Sequence, residues 1–342
     1  MIATSADLLW LAKQVNTGAD TFVGKTFVMT DDIDLTGINW TPIGINNKIC
    51  FKGTFDGQDH TISNLSVAVE GTASAGLFAN GAGATIKNLT LENVNVNGNY
   101  MTGVVMGDGS CATILNCHVN GGSVTSTPHL VGGKYDDGNH AGGIVGYLAA
   151  DGGNASVTGC SVTGLVITAY RDVAGIAGTS TGSGYIPVVS DNVVSNTTII
   201  ADQTVDYVSP KAANAGEIVG RKQVEPTMSG YTVTNVIVKT LVATATQLQN
   251  ALNYTIDGQN IILTDDITGD VTAAQKPNVK ITIEGNNHIF AGVLLVDGKS
   301  GTYTTAGLTI KNLNFKAESI SADACIRLGD GTNATRYICN VS

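Results

Sequence analysis

TIKNLTLENVNVNG, residues 85–98, decides the fold. Ile86 opens an apolar set, a break falls at Asn88, and Leu89, Leu91, Val94 and Val96 follow in short alternating runs. Alternation of this kind marks β-strands with one buried face. Related segments are TISNLSV (61–67), TILNCHV (113–119), SVTGCSV (156–162), VVSDNVV (188–194), TVTNVIV (232–238) and TIKNLNF (309–315). From 61 to 232 their starts differ by 24, 28, 43, 32 and 44 residues, so the unit is constant and the linkers vary. Between units lies a second element: AGLF (75–78), TGVVMG (102–107), AGGIVG (141–146), AGIAG (174–178) or AGEIVG (215–220). One such strand cannot bury its face alone, whereas stacked units build a continuous core. The sequence therefore predicts an all-β chain, a right-handed parallel β-helix (β-solenoid), each coil advanced by ~4.8 Å.

The fourth position of the unit carries Asn64, Asn88, Asn116, Gly159, Asp191, Asn235 and Asn312. It lies where the chain must bend sharply. Asn tolerates left-handed dihedrals, and its amide can bond the amide one coil away. Gly159 is expected to interrupt that ladder and keep the bend.

Composition agrees. Of 342 residues only 13% are charged and 43% are hydrophobic, with 42 Gly against 6 Pro. Such a chain is not disordered, has no apolar run long enough for a membrane span, and lacks collagen's period. Eighteen Lys and Arg face 28 Asp and Glu, a net charge of −10, which argues against nucleic acid as a partner. MIATSADLL has no leader pattern, and TRYICNVS (335–342) reads as mid-strand; a mature or excised piece of a longer chain is expected. Cys50, Cys111, Cys117, Cys160, Cys325 and Cys339 form no CxxC and no zinc spacing. They read as small buried hydrophobes, with a disulfide between coils left open.

The AG-type elements followed by T-I-x-N-C/L-x-V resemble GLUG-motif repeats over roughly 60–243. Those repeats occur in bacterial surface proteins, many from gut Bacteroidetes, and in regions attached to immunoglobulin A peptidases. The bend Asn also resembles the asparagine ladder of pectin-lyase-like β-helices. The resemblance implies an extracellular or cell-surface setting, and is specific for fold rather than activity.

Two modules are expected, 1–243 and 244–342, each opening with a capping helix. Residues 4–16 form the first, with Thr4 or Ser5 as cap and Leu8, Leu11, Ala12 and Val15 on one face. The second uses Thr246 and Gln249 as a capping box, with Leu248, Ala251 and Leu252 on its face. TDDI recurs at 30–33 and 264–267, and His60 and His288 occupy corresponding sites. Asp31, Asp32 and Asp34 have donor chemistry for calcium, but repetition favours a turn shared by the scaffold, and no metal or cofactor is expected. His118 has no evident partner.

No catalytic motif appears. Four connections in one register concentrate the chemistry that the rest lacks: 97–101, 126–140, 169–173 and 201–215. They carry Tyr100, His129, Lys134, Tyr135, Asp136, Asp137, His140, Tyr170, Arg171, Asp172, Asp206, Tyr207 and Lys211. Tyrosines flanked by charges suit sugar rings, and loops on a rigid scaffold are where function gathers. The expected role is a non-enzymatic adhesin or scaffold binding a glycan or a host surface protein. The alternative is a polysaccharide-cleaving lyase or hydrolase, with Asp136, Asp137, Asp172 and Asp206 as carboxylates and His129 or His140 as base.

Overall fold

A computed structural model describes residues 1–46, 48–131, 134–135, 140–204, 214–253, 258–274, 279–297, 307–316 and 326–328. The described chain is all-β apart from two helices, and its extended sheets are parallel. The arrangement is consistent with a β-solenoid. Two compact units emerge, residues 1–200 with 215–237, and 201–214 with 238–342. The division falls at 237/238, six residues before the sequence-based boundary.

In the first unit, Thr85–Gly98 pairs in register with Thr113–Ser126, which pairs with Ser156–Thr158 and Ser161–Ala169. Ile86, Ile114, Val157 and Val189 thus stack on one another, all buried. Leu91, Val119, Val162 and Val194 form a second buried stack. Cys117 and Cys160 fill the position of Leu89 on neighbouring coils, and with Cys111 they are free thiols.

The expected bend residues do take left-handed dihedrals: φ is 60° at Asn64, 51° at Asn88, 50° at Asn116, 66° at Gly159, 56° at Asp191, 53° at Asn235 and 49° at Asn312. They do not, however, form one column. Asn88, Asn116, Gly159, Asp191 and Gly230 stack together. Asn64 and Asn235 belong to a second column with Asn93, Gly121, Gly164 and Asn196. Each coil bends twice, five residues apart, because 85–98 writes its motif twice, as TIKN-L and again as TLEN-V. Within the second column amides link coils where side chains allow: Asn93 Nδ2 donates to Asn64 Oδ1 at 2.6 Å and Asn235 Nδ2 to Asn196 Oδ1 at 2.8 Å. At Gly159 a Cβ would lie 2.4 Å from Asn116 Oδ1, so the carboxamide below needs the glycine above.

Helix α1 (Ser5–Asn16) buries Leu8, Leu11, Ala12 and Val15 and starts with a capping box of Thr4 and Asp7. Helix α2 (Ala245–Asn253) buries Leu248, Ala251 and Leu252. Its cap differs from the expectation. Thr244 Oγ1 accepts from Gln247 N–H at 3.2 Å, and Gln247 Oε1 accepts from Ala243 N–H at 2.7 Å. Gln249 instead reaches across to a strand. Its Nε2 donates to Thr272 O and its Oε1 accepts from Thr272 N–H, each at 2.7 Å. Asn16 does the same in the first unit, donating to Pro42 O at 3.0 Å and accepting from Gly44 N–H at 2.6 Å. Both helices thus answer strand-like backbone groups with one side-chain amide.

The second unit stacks Gln259–Leu263, Lys280–Glu284 and Gly307–Lys311 in parallel around Ile261, Ile283, Phe290 and Ile310. The likeness between units extends to detail. Asp59 N–H donates to Asn88 O and Asn287 N–H to Asn312 O, at 2.9 and 2.8 Å.

Two outcomes follow for stability. At Gly57 a Cβ would sit 2.3 Å from the Asn88 carbonyl oxygen, whereas at Gly83 (φ +74°) it would meet nothing. Thermal or urea unfolding should show Gly57→Ala losing up to ~3 kcal/mol through the steric clash and Gly83→Ala only ~1 kcal/mol through its dihedral. Asn16→Leu, which leaves Pro42 O and Gly44 N–H without their partner, should cost ~2 kcal/mol in the same measurement.

Candidate functional site

The glycines of the AG-type elements explain where the site lies. A Cβ on Gly103 would be 2.4 Å from Met106 O, and one on Gly142 would be 2.0 Å from Val145 O. The chain turns back so tightly there that only glycine fits, or alanine at the equivalent Ala174. Residues just before the corner are thereby brought opposite residues just after it. Before it run Met101, His140 and Asp172, in register on successive coils. After it run Asn80, Asp108, Tyr147, Thr179 and Arg221, also in register. The two rows border a furrow across the coils.

One half of the furrow is filled by its own side chains. Asp172 is fully buried. Its Oδ2 receives His140 Nδ1 at 2.8 Å, Thr179 Oγ1 at 3.1 Å and Arg171 Nε at 3.2 Å, with Arg221 Nη1 at 3.8 Å. Thr179 Oγ1 also lies 2.7 Å from His140 Nδ1. The His140 ring packs against Tyr147, their centroids 5.4 Å apart, and faces Tyr100 at 6.5 Å.

The other half is open. A groove of about 720 Å³ is lined by Ser74, Asn80, Tyr100, Met101, Asp108, Tyr147 and Asp151 among others, with Lys48 at its border. Ser74, Asn80 and Asp108 are only 5%, 5% and 7% exposed. Asp108 Oδ1 accepts from Ser110 N–H at 3.0 Å and Ser110 Oγ at 2.6 Å. Its other oxygen, the Asn80 carboxamide and the Ser74 hydroxyl bond no described residue, and they border the groove. Burial pushes the Asp108 carboxyl above the usual carboxylate range; the Ser110 bonds oppose this, and the Asp151 charge adds to it. Burial likewise raises Tyr147, against a hydrogen bond from Thr181.

The sequence-based site is therefore partly gathered and partly elsewhere. His140, Arg171 and Asp172 come together, but as a buried cluster rather than an exposed contact row, because the corner folds them onto Thr179. Tyr170 is buried as well. Tyr100 lines the groove. His129 lies beside Gly71 and is not itself part of the groove lining. Asp136, Asp137, Asp206, Tyr207 and Lys211 lie outside the described residues, as does the Tyr135 side chain. The sequence reading missed Ser74, Asn80, Asp108, Tyr147 and Arg221. For Asn80, Asp108, Tyr147 and Arg221 the signal was a polar residue four or five positions after the corner glycine, hidden among linkers of unequal length; Ser74 lies before its corner.

Other expectations resolve locally. Asp32 Oδ1 accepts from Thr61 N–H at 2.9 Å and lies 3.0 Å from His60 Nδ1; these bonds hold it below the usual range. Asp266 serves Ile289 N–H and His288 in the same way, at 2.8 and 3.4 Å. The TDDI carboxylates thus cap turns. Among the described residues no group of three or more His, Cys, Asp or Glu is placed to hold a metal ion. His118 has a partner after all, Ser161 Oγ at 2.8 Å from its Nδ1.

No protein-family model matches the chain. A stretch of 117 residues is 38% identical to halomucin of Haloquadratum walsbyi; it covers 34% of this chain and 1% of halomucin. The chain thus spans about one hundredth of that relative's length. A crystal structure from Bacteroides ovatus, described as a "putative immunoglobulin A1 protease", aligns over 92% of this chain and 83% of its own. The TM-score is 0.49 and the identity 15%. No helix among the described residues is long and apolar enough to cross a membrane.

A carboxyl raised by burial destabilises the fold once it ionises. The unfolded chain releases the proton first, so this penalty grows as pH rises through the ordinary carboxylate range toward the folded value. Asp108→Asn should therefore melt higher than the parent at pH 7. The gap should close below about pH 3, where both forms are neutral; melting curves across pH check this.

Proposed function

We propose that the chain is a right-handed parallel β-helix of the GLUG-repeat type, part of a secreted or cell-surface protein, and that it acts without catalysis by binding a glycan. The observation that carries this reading is the set of nearly buried polar groups, Ser74, Asn80 and one oxygen of Asp108, left unspent on a groove walled by Tyr100 and Tyr147. A fold gains no stability from polar groups held on a groove wall without partners. Aromatic walls with fixed hydrogen-bonding groups match a sugar's C–H face and its hydroxyls. The repeated AG-type corners and the two bend columns support the β-helix. The 117-residue likeness to a protein whose name denotes a mucin supports the extracellular setting.

A glycan and mucin array with the intact chain tests the reading. Tyr147→Ala should weaken retained ligands about tenfold. No binding above background would end the proposal. Loss confined to Tyr135→Ala and Tyr207→Ala would move the contact to the two long insertions. A host protein as ligand would appear as binding to deglycosylated mucin.

A second reading, polysaccharide cleavage, rests on Asp108 and Asp151 lining the same groove, one of them raised by burial. Glycoside hydrolysis works with two carboxyls on one groove, one of which serves as the acid. Product release by the parent, lost in Asp108→Asn, would replace the non-catalytic reading.

A further inference from the structure

We infer that the groove selects glycans bearing free amino groups, that is, hexosamine units without their N-acetyl caps; this rests on the glycan reading above. The charge inside the groove carries the inference. Its lining holds two carboxyls, Asp108 and Asp151, against one cation, Lys48. Asp108 is 7% exposed and forms no ion pair among the described residues, and its only described partner is Ser110. A nearly buried carboxyl without a counter-charge is costly. An ammonium placed against its free oxygen would supply that charge and form a charge-assisted hydrogen bond.

The surrounding groups fit the same ligand. Tyr100 and Tyr147 line the groove, and aromatic rings attract a cation as well as a sugar's C–H face. Asn80, 5% exposed, and Ser74, 5% exposed, offer hydrogen bonds to the hydroxyls flanking an amine. An acidic sugar meets the opposite situation, since its carboxylate would be desolvated beside Asp108 and Asp151. A neutral N-acetyl group leaves the Asp108 charge uncompensated. The contrast with the other half of the furrow is informative. There Asp172 is answered by His140, Arg171 and Arg221 from the chain itself. Among the described residues none forms an ion pair with Asp108, and the ligand takes that place.

Calorimetric titration of the intact chain with three probes tests this: glucosamine oligomers, N-acetylglucosamine oligomers and oligogalacturonate. Glucosamine oligomers should bind at least tenfold more tightly than the N-acetylated series, and oligogalacturonate should show no heat of binding. Asp108→Asn should bring the first two within threefold of each other, with its thermal transition intact. Equal or tighter binding of the N-acetylated series would overturn the amine selection and leave the glycan reading standing. Glucosamine binding that survives both Asp108→Asn and Tyr147→Ala would overturn it as mere attraction to a chain of net charge −10. Silence from all three probes would overturn the amine selection, and the glycan array then decides the broader reading.

Discussion

Parallel strands in register place every residue directly above its counterpart, and this one constraint governs the rest of the chain. A bend residue must adopt a left-handed dihedral on every coil, or the ladder on either side fails. Only Gly, Asn and Asp occupy Asn88, Asn116, Gly159, Asp191 and Gly230, because larger side chains lose energy at positive φ. The same stacking explains why charge is scarce. Like charges held one strand spacing apart repel, so the outer faces are built from Thr, Ser and Asn, and ionised groups collect where the register brings opposite signs together.

The corner between two sheets is where the scaffold becomes a site. Gly103 and Gly142 let the chain double back so closely that side chains on either side of the turn meet. Along that furrow the fold makes two choices with the same geometry. At Asp172 it completes a buried ion cluster from its own residues, and the furrow closes. At Asp108 it does not, and the furrow stays open. An unanswered buried carboxyl lowers stability; the glycan reading gives this one, beside two tyrosines, a use outside the chain.

Much of this was legible in the sequence. Alternating apolar runs and the Asn before Leu89 specified strands and bends, and the apolar spacing of residues 8–15 specified the buried face of α1. What was not legible depended on pairing between coils. The second bend column escaped notice because Asn93 stands only five residues after Asn88, inside what reads as one strand. Thr244 was passed over as a cap because Thr246 has the same residue types at the same spacing. The open groove could not be seen because Asn80, Asp108 and Tyr147 are separated by 28 and 39 residues of chain, and linkers of different length conceal that they share a register. The Arg171–Asp172 pair was singled out as exposed chemistry; tertiary packing against Thr179 and His140 turned it inward.

The paired amides of Asn16 and Gln249 have one more consequence. A strand edge that still offers N–H and C=O groups in the right spacing is a nucleus for polymerisation, since any second chain with a free edge can continue the stack. A carboxamide has the same donor and acceptor as one peptide bond, but no following peptide behind it. Seated at the start of a ladder, it satisfies the edge and propagates nothing. Each amide is in this sense a local stop: it satisfies the backbone groups it faces and offers nothing for a further strand to join.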